Sequence, residues 1–342
     1  MLLAGASAPS AWRRLAWFVR LIEAFEHLRL RALKDMVSMA SGKMHVEEVD
    51  HDAGLVQRLL AAQFPKWADL PLEPLQSSGT DNALYRLGGD KVVRLPRIQA
   101  AAAQVDKECQ WLPKLAPLVS LPIPVPLGKG RPGEGFPWSW SVYRWIEGET
   151  ATIGRIANLR QAATDMARFI ATLHGVDSAG GPLPGHHNSF RGVPLATRDA
   201  ATRAAISNLR GTLDEGAMTA AWDATLNAPV WNGPPVWIHG DLQAGNVLIQ
   251  GGRLNAVIDF GCLGVGDPAC DLIVAWNLFN AESREVLRAA LKVDEATWKR
   301  GRGWALSVGL IALPYYEHSN PALAAASRYA VREVLADSKF NT

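Results

Sequence analysis

The feature that most constrains the fold of this 342-residue chain is a polar loop, residues 239–246, set between short apolar runs in its C-terminal half. Apolar runs of this length, bounded by polar or glycine-rich turns, are typical of β-strands. The three runs are residues 236–238, 247–249 and 254–258. A strand, a loop, a strand, a turn and a strand in this order bring Asp241, Asn246 and Asp259 to one end of a small sheet.

These three polar residues have the chemistry that transfer of a phosphoryl group requires. Asp241 and Asn246 are five positions apart, and Asp259 follows thirteen positions later. One carboxylate can orient an attacking hydroxyl and accept its proton, while a second carboxylate and an amide oxygen hold Mg2+ against the phosphates. We therefore predict that Asp241 is catalytic and that Asn246 and Asp259 bind the metal. In the alternative, Asp241 caps a turn and Asp259 ends a strand, as aspartates often do.

The pattern continues with Gly-Asp-Pro-x2-Asp-Leu at residues 266–272. Together with His-Gly-Asp-Leu-x3-Asn and Ile-Asp-Phe-Gly, it resembles the aminoglycoside phosphotransferase family, which includes macrolide kinases and other small-molecule kinases. The resemblance extends from about residue 46 to the C-terminus and is strongest over residues 236–272. It implies an α+β fold of the bilobal protein-kinase type, with an antiparallel sheet and a helix in the N-lobe and a larger, mainly helical C-lobe.

Three parts of the chain follow from this resemblance. Residues 1–43 are expected to form an N-terminal amphipathic helical extension, residues 44–146 the nucleotide-binding N-lobe, and residues 147–342 the catalytic and substrate-binding C-lobe. The helix predicted over residues 11–36 carries basic residues at a spacing of seven. We expect such a helix to dock on the body of the protein, or to be upstream sequence read from an early start codon. The less favoured alternative is that it lies on a membrane surface.

A polar loop near residue 80 is the predicted phosphate-binding segment. Ser78, Gly79 and Thr80 lie between two predicted strands, residues 72–76 and 83–87. By resemblance, backbone N–H groups and hydroxyls of this loop contact the phosphates of a nucleotide. Without the resemblance, the segment would be an ordinary hairpin loop, because it lacks the Gly-x-Gly-x-x-Gly of protein kinases.

Arg94 stands, by resemblance, where kinases place the lysine that holds the α- and β-phosphates. Its guanidinium is a planar, permanently charged fork rather than a point charge, so the geometry of its phosphate contacts differs. Glu108, on a helix predicted over residues 100–115, is expected to pair with Arg94; the alternative is a solvated carboxylate. The resemblance also implies a hinge between the lobes, where the backbone of Arg144 and Ile146 contacts adenine.

The expected reaction uses ATP, with GTP as the alternative donor, and Mg2+ as cofactor. The acceptor is a hydroxyl of a small molecule, and we favour a cationic one, an aminoglycoside. A polycation requires carboxylates beyond the catalytic one, for which the candidates are Glu147, Glu149, Asp271 and Glu317. A macrolide or a metabolic hydroxyl compound is the alternative acceptor, and no nucleic-acid partner is expected.

Two rival functions differ from this one in particular residues. A protein kinase would carry Arg at the position of Gly240 and an Ala-Pro-Glu after Asp-Phe-Gly. A nucleotide-binding pseudokinase module is favoured by Arg94 alone, since Asp241, Asn246 and Asp259 are all intact. We expect His239, Asp267 and Asp271 to support the loop or cap the next helix rather than touch substrate.

The composition agrees with a cytoplasmic enzyme. The chain is 48% hydrophobic and 20% charged, as soluble globular proteins are. Three cysteines form neither an even disulfide framework nor a metal-binding spacing, which makes a reducing cytoplasm the default. Residues 45–342 contain 28 Lys and Arg against 30 Asp and Glu, a mildly acidic balance that tolerates a cationic substrate.

Overall fold

The computed structural model describes residue 49 and residues 51–75, 81–317 and 320–337. His51–Thr342 forms one compact unit. The helix predicted over residues 11–36 lies outside the described residues, and so does the predicted phosphate-binding loop with Ser78, Gly79 and Thr80. In the ranges that are described, none of the helices has the length and apolar character needed to span a bilayer.

A five-stranded antiparallel sheet forms the first half of the fold. Its strand order is β1-β2-β3-β5-β4. The strands are β1 (Leu72–Leu75), β2 (Asn82–Leu87), β3 (Lys91–Pro96), β4 (Pro126–Gly130) and β5 (Trp140–Arg144). Because side chains alternate along a strand, Val93 and Leu95 of β3 enter the core while Arg94 lies on the opposite face. Proline cannot donate to the ladder, and β3 ends at Pro96.

Two helices accompany this sheet. Helix α1 (Ala53–Gln63) begins after Asp52, whose side chain accepts a hydrogen bond from the Leu55 N–H at 2.6 Å. Helix α2 (Gln99–Leu115) packs on β3, β4 and β5. Buried residues recur along α2 at helical spacing, and two of them, Lys107 and Glu108, are charged. The helix therefore turns two ionisable side chains toward the interior, next to Arg94.

The segment that contains Asp241 and Asn246 joins two small sheets. Strand β6 (Glu149–Thr150) lies in a three-stranded sheet with β8 (Val247–Gln250) and β9 (Arg253–Val257), in the order β6-β8-β9. Strand β7 (Val236–Ile238) instead pairs with β10 (Gly264–Gly266). The predicted strands are thus present, but the expectation of a single sheet is wrong. Since β7 and β8 belong to different sheets, the loop between them crosses from one to the other.

Helices make up most of the second half of the fold. They are α3 (Leu159–His174), α4 (Asp199–Asn208), α5 (Glu215–Leu226), α6 (Val274–Asn277), α7 (Ala281–Leu291), α8 (Glu295–Tyr316) and α9 (Pro321–Asp337). Their apolar faces share one core with β7, β8 and β9. Trp222, Trp237, Trp276 and Trp304 are almost completely buried in that core. Much of the tryptophan content therefore stabilises the helical half and the two strands that lead into the loop.

Candidate active site

The carboxylate of Asp241 is held by three side-chain donors. Arg191 Nη2 lies 3.1 Å and Gln243 Nε2 lies 2.6 Å from Oδ1, and Asn246 Nδ2 lies 3.2 Å from Oδ2. The Asp241 side chain keeps 25% of its surface exposed. The carboxylate is therefore fixed in direction and still reachable from solvent.

A buried aspartate supports the backbone of the loop. Asp271 accepts the N–H groups of His239 (3.0 Å, Oδ2) and Gly240 (2.8 Å, Oδ1), and His174 Nε2 lies 3.1 Å from its Oδ2. Gly240 has φ +81°, and a Cβ at this position would lie only 2.5 Å from the carbonyl oxygen of Cys262. Asp271 thus supports the loop, as predicted. The Asp271 carboxylate is fully buried and cannot meet a substrate.

Direct hydrogen bonds connect the Asp259 segment to the loop that contains Asp241 and Asn246. The Ile258 N–H donates to the Asn246 carbonyl at 2.8 Å, and His239 Nε2 lies 3.0 Å from the Ile258 carbonyl. The His239 ring also packs against Phe260, with ring centroids 4.5 Å apart. Asp259 itself has φ +62°, a left-handed conformation that is uncommon outside glycine and often marks functional positions. His239 therefore links the two motifs, in the supporting role predicted for it.

The residues predicted to bind Mg2+ have the oxygen donors that this ion prefers. Asn246 Nδ2 also donates to the Asp241 carbonyl at 2.8 Å, which fixes the amide group. No described residue donates to Asn246 Oδ1, so this oxygen is available to a cation. The Asp259 side chain is 53% exposed and contacts Arg94 Nη2 at 3.3 Å. A fixed amide oxygen and an accessible carboxylate fit a hard divalent ion.

The predicted ion pair between Arg94 and Glu108 is present. Arg94 Nη1 lies 2.9 Å and 2.7 Å from the two carboxylate oxygens of Glu108, and its Nη2 reaches Asp259. The Tyr143 hydroxyl donates to the same Glu108 carboxylate, and burial followed by the Glu108 charge raises the Tyr143 pKa well above its usual value. Two carboxylates therefore surround a largely buried guanidinium.

The hinge has fewer open backbone groups than the sequence suggested. The Arg144 N–H donates to the Val125 carbonyl at 3.2 Å, and the Trp145 N–H donates to the Asp90 carbonyl at 2.8 Å. Among the described residues, none accepts a hydrogen bond from the Ile146 N–H. Of the hinge amides, that of Ile146 is therefore the one that can meet a ligand.

Lys107 is a site residue that the sequence reasoning missed. Its ammonium group donates to the Gly261 carbonyl at 2.8 Å and to the His187 carbonyl at 3.0 Å, so it holds the turn after Asp259. Lys107 is almost fully buried, and this burial lowers its pKa to about 8. A lysine on a helix surface gives no sequence signal of this kind.

Arg191 is the second missed residue. It lies between helices α3 and α4 and contacts the predicted catalytic carboxylate. Burial opposes the charge of its guanidinium most strongly, but the Asp241 carboxylate together with the side chains of Cys262 and Cys270 outweighs that effect and raises the Arg191 pKa. Its fifty-residue separation from Asp241 explains why local motif spacing could not reveal it.

Comparison with known proteins gives this site a family. Residues 72–304 match the family described as APH, the phosphotransferase enzyme family. The match covers more than half of the chain, and the chain belongs to this family. Membership of this family determines the reaction class, and the protein is a small-molecule kinase. The bilobal α+β, protein-kinase-like fold predicted from the sequence is confirmed. A search of curated proteins returned no matching sequence.

Solved structures with the same fold include phosphotransferases for two kinds of antibiotic. The GDP complex of wild-type aminoglycoside 2'-phosphotransferase-IIIa has 21% identity and a TM-score of 0.66, over 84% of this chain and 100% of that one. An APH(2") enzyme with GDP and kanamycin has 21% identity and a TM-score of 0.65, over 82% and 98%. The apoenzyme of macrolide 2'-phosphotransferase MphH from Brachybacterium faecium has 22% identity and a TM-score of 0.55, over 82% and 97%. At such identities the likeness concerns the fold.

Proposed function

We propose that this protein transfers the γ-phosphoryl group of ATP to a hydroxyl of a small molecule, with Asp241 orienting that hydroxyl. The observation that carries the proposal is a chain of contacts: Asn246 donates to Asp241, and Ile258, next to Asp259, donates to Asn246. Complexes of structural neighbours with GDP, ADP and ATP support a nucleotide as the donor.

Asp241 would accept a hydrogen bond from the acceptor hydroxyl and take its proton as the new P–O bond forms. The transition state of phosphoryl transfer is loose, so the carboxylate supplies alignment more than base strength. The three donors on Asp241 support this role because they fix the direction of its oxygens. When bound by Asn246 and Asp259, Mg2+ would neutralise charge on the phosphates.

We assign the remaining nucleotide contacts as the sequence predicted them. Arg94 would approach the phosphates, because its guanidinium already reaches Asp259 at 3.3 Å. Ser78, Gly79 and Thr80 would cover the phosphates, and the open amide of Ile146 would meet the adenine edge together with the rest of the hinge. GTP is the alternative donor, since backbone contacts of this kind suit either base.

Two observations on the acceptor favour different classes of compound. Structural neighbours bind kanamycin, gentamicin and streptomycin, which supports the predicted aminoglycoside, and others act on macrolides. Each of the acids predicted to bind a polycation already has a partner in this chain, although only Asp271 is buried. Asp271 is buried in the loop support, and the other three pair with arginines: Glu147 with Arg86, Glu149 with Arg155 and Glu317 with Arg328.

Replacing Asp241 tests the proposal. Asp241→Asn keeps the size of the side chain and removes its charge, so we expect kcat to fall on the order of a thousandfold or more with little change in nucleotide affinity. The measurements are ADP release in a coupled assay and ADP binding by calorimetry. Asp223→Asn, at an exposed acid paired with Arg203, is the matched control and should leave both unchanged.

The screen that accompanies this variant uses aminoglycosides, macrolides and small hydroxyl compounds as acceptors. Turnover with any of them that depends on Asp241 supports the kinase function. Tight nucleotide binding without turnover of any acceptor would instead identify the protein as a pseudokinase module. Near wild-type activity in Asp241→Asn would show that the role assigned to this carboxylate is wrong.

A further inference from the structure

Two arginines and a tryptophan form a cationic corner beside Asp241. The carbon at the centre of the Arg191 guanidinium lies 5.8 Å from the centre of the Trp304 ring, and that of Arg198 lies 4.9 Å from it. Arg191 also contacts Asp241 at 3.1 Å, which joins the corner to the carboxylate that would receive the acceptor hydroxyl. We call Arg191, Arg198 and Trp304 the cationic corner.

The charges in this corner do not balance. In the described part of the chain, Asp241 is the one carboxylate within ion-pairing distance of Arg191, and Arg198 has none. Arg198 donates through Nε to the Ser307 hydroxyl at 2.8 Å, and that hydroxyl is hydrogen-bonded to the Thr202 hydroxyl. Burial, followed by the nearby Arg191 charge, lowers the Arg198 pKa to about 10. Two largely desolvated cations thus share one anion, and buried charge without a partner is expensive.

Hydrogen-bond donors are also in excess here. Arg191 Nε and Nη1 and Trp304 Nε1 are buried and lack a partner within the described residues. The Nη nitrogens of Arg198 have no acceptor in that part of the chain either, but they are not buried and are open to solvent or a ligand. Buried N–H groups are nearly always satisfied by protein, water or a ligand. Several unsatisfied donors combined with a net positive charge favour a ligand that brings both acceptor atoms and negative charge.

We propose that the acceptor of this kinase carries an anionic group, a carboxylate or a phosphate, which the cationic corner binds while the acceptor hydroxyl lies on Asp241. This inference rests on the proposed function and specifies its acceptor. The bond between the γ-phosphorus and the β–γ bridging oxygen breaks, a P–O bond to the acceptor oxygen forms, Asp241 takes the hydroxyl proton, and ADP leaves. Proton transfer neutralises Asp241, the one carboxylate beside the corner. An anionic group on the acceptor therefore stabilises the two arginine cations most at that moment.

A polycationic acceptor has the opposite charge to the one this corner favours. Arg191 and Arg198 would repel ammonium groups bound near Asp241, and the carboxylates that would compensate are paired elsewhere. A macrolide brings bulk but no negative charge. The electrostatics of the corner therefore discriminate among the acceptor classes that the neighbouring structures leave open.

Anion binding to the ADP complex tests the proposal directly, because ADP occupies the nucleotide site. We expect sulfate or malonate to bind once per protein in calorimetry, and Arg198→Gln to weaken that binding at least tenfold, since a charged hydrogen bond is worth about 1.5–3 kcal/mol. Sulfate stands for a phosphate group and malonate for carboxylates, so their relative affinities identify the anion class. Arg203→Gln removes the same charge from the exposed face of α4 and should bind both anions as the wild type does.

Turnover supplies the second readout. ADP release is measured with glycerol against glycerate and glycerol 3-phosphate, glucose against gluconate and glucose 6-phosphate, and kanamycin. We expect kcat/KM to be at least tenfold higher for the anionic member of a pair, and Arg198→Gln to remove that preference by raising the KM of the anionic acceptor while the KM of ATP stays constant. Arg198→Lys should restore part of the preference.

Four results would overturn the inference. The first is failure of the ADP complex to bind either anion at 50 mM, and the second is equal anion binding by wild type and Arg198→Gln. The third is a wild-type preference for kanamycin or a neutral acceptor. Each of these leaves the proposed kinase function standing if ADP binds and Asp241-dependent turnover persists. A higher KM for ATP in Arg198→Gln would instead assign the corner to the γ-phosphate of the nucleotide and would also refute the inference.

Discussion

Two partly buried arginines of this protein, Arg94 and Arg198, differ in how their charges are compensated. Arg94, on β3, is enclosed by the carboxylates of Glu108 and Asp259. Arg198, at the start of α4, meets a hydroxyl and the face of a tryptophan ring. The pKa of Arg94 is accordingly raised above its usual value although its burial opposes this, whereas that of Arg198 is lowered to about 10. The first cation has its counter-charge within the fold, and the second lacks one.

The difference separates a positioning role from a binding role. A cation with built-in partners is held in one geometry before any ligand arrives, which suits a residue that presents itself to the phosphates of a nucleotide. A cation without partners lowers stability until an anion is bound, which suits a site of molecular recognition. On the functions proposed above, the nucleotide side of the site would be assembled in advance, and the acceptor side would be completed by its ligand.

The largest effect is expected from breaking the ion pair between Arg94 and Glu108. Arg94→Met leaves Glu108, whose side chain is only 2% exposed, with a buried charge and a single donor from Tyr143. Removing one partner of a buried ion pair costs about 3–5 kcal/mol. We expect a loss of that size in the free energy of unfolding, measured with urea, and loss of kinase activity.

A double variant distinguishes charge from packing at this position. Glu108→Gln added to Arg94→Met removes the stranded charge and keeps an acceptor for the Tyr143 hydroxyl, so at least half of the lost stability should return while activity stays low. If the double variant is as unstable as the single one, packing rather than charge sets the cost. The contrast with Arg198 would then have no electrostatic basis.

The side of the site that contains Arg94 and its paired carboxylates was also easier to predict from the sequence. Arg94, Glu108, Asp241, Asn246 and Asp259 lie within motifs whose spacing along the chain reflects contacts inside short strand and helix units. The pair between Arg94 and Glu108 spans only fourteen residues. The Arg94–Glu108 pair could therefore be anticipated by resemblance and by the parity of β3, whereas the contact of Arg94 with Asp259, 165 residues away, depends on tertiary packing.

The acceptor side depends on distant segments and was not predictable in this way. Arg191 and Arg198 come from a polar stretch without strong periodicity, and Trp304 comes from α8, more than a hundred residues later. Lys107 likewise reaches across 154 residues to the Gly261 carbonyl. Tertiary packing determines such contacts, and a single sequence carries no local signal for them.

The second prediction concerns the turn that places Asp241 next to Arg191. Gly240→Ala forces a Cβ to within 2.5 Å of the Cys262 carbonyl at φ +81°, a backbone region that alanine avoids. We expect a cost of about 2–3 kcal/mol in unfolding free energy and a marked loss of kcat, because the loop must shift. Gly245→Ala in the same loop has open space around it and should change stability by less than about 0.5 kcal/mol. Equal effects would mean that the loop is not constrained at Gly240.

The third prediction concerns Lys107, whose degree of charge compensation is intermediate between those of Arg94 and Arg198. Its partners are carbonyl oxygens and the His187 ring rather than carboxylates, and burial lowers its pKa to about 8. A lysine in the unfolded chain keeps its proton up to about pH 10.4, so from pH 8 to 10 the unfolded state binds more protons and stability rises with pH. The cost of the buried charge is full below pH 8 and is relieved above it.

Lys107→Met removes that pH dependence. From pH 7 to pH 9.5, the unfolding free energy of the wild type should rise relative to that of the variant by about 1–2 kcal/mol, at 1.36 kcal/mol for each pKa unit traversed. Urea unfolding of both proteins at half-unit steps measures the difference, in which other titrating groups cancel. Parallel curves would mean that Lys107 is as well solvated in the fold as in the unfolded chain.

The smallest expected effect is on the stability of an Arg198 variant, and it tests the comparison between Arg94 and Arg198 most directly. Arg198→Met gives up a hydrogen bond to Ser307 and a contact with the Trp304 ring but removes an uncompensated buried charge. These contributions offset each other, because replacing buried charge by an apolar side chain of similar volume is often neutral, so unfolding free energy should change by less than about 1 kcal/mol. Sulfate at 50 mM should raise the melting temperature of the wild type more than that of Arg198→Met, since an anion bound only by the folded state stabilises it. A loss as large as that of Arg94→Met would mean that Arg198 serves the fold, and the distinction between a pre-assembled nucleotide side and a ligand-completed acceptor side would fail.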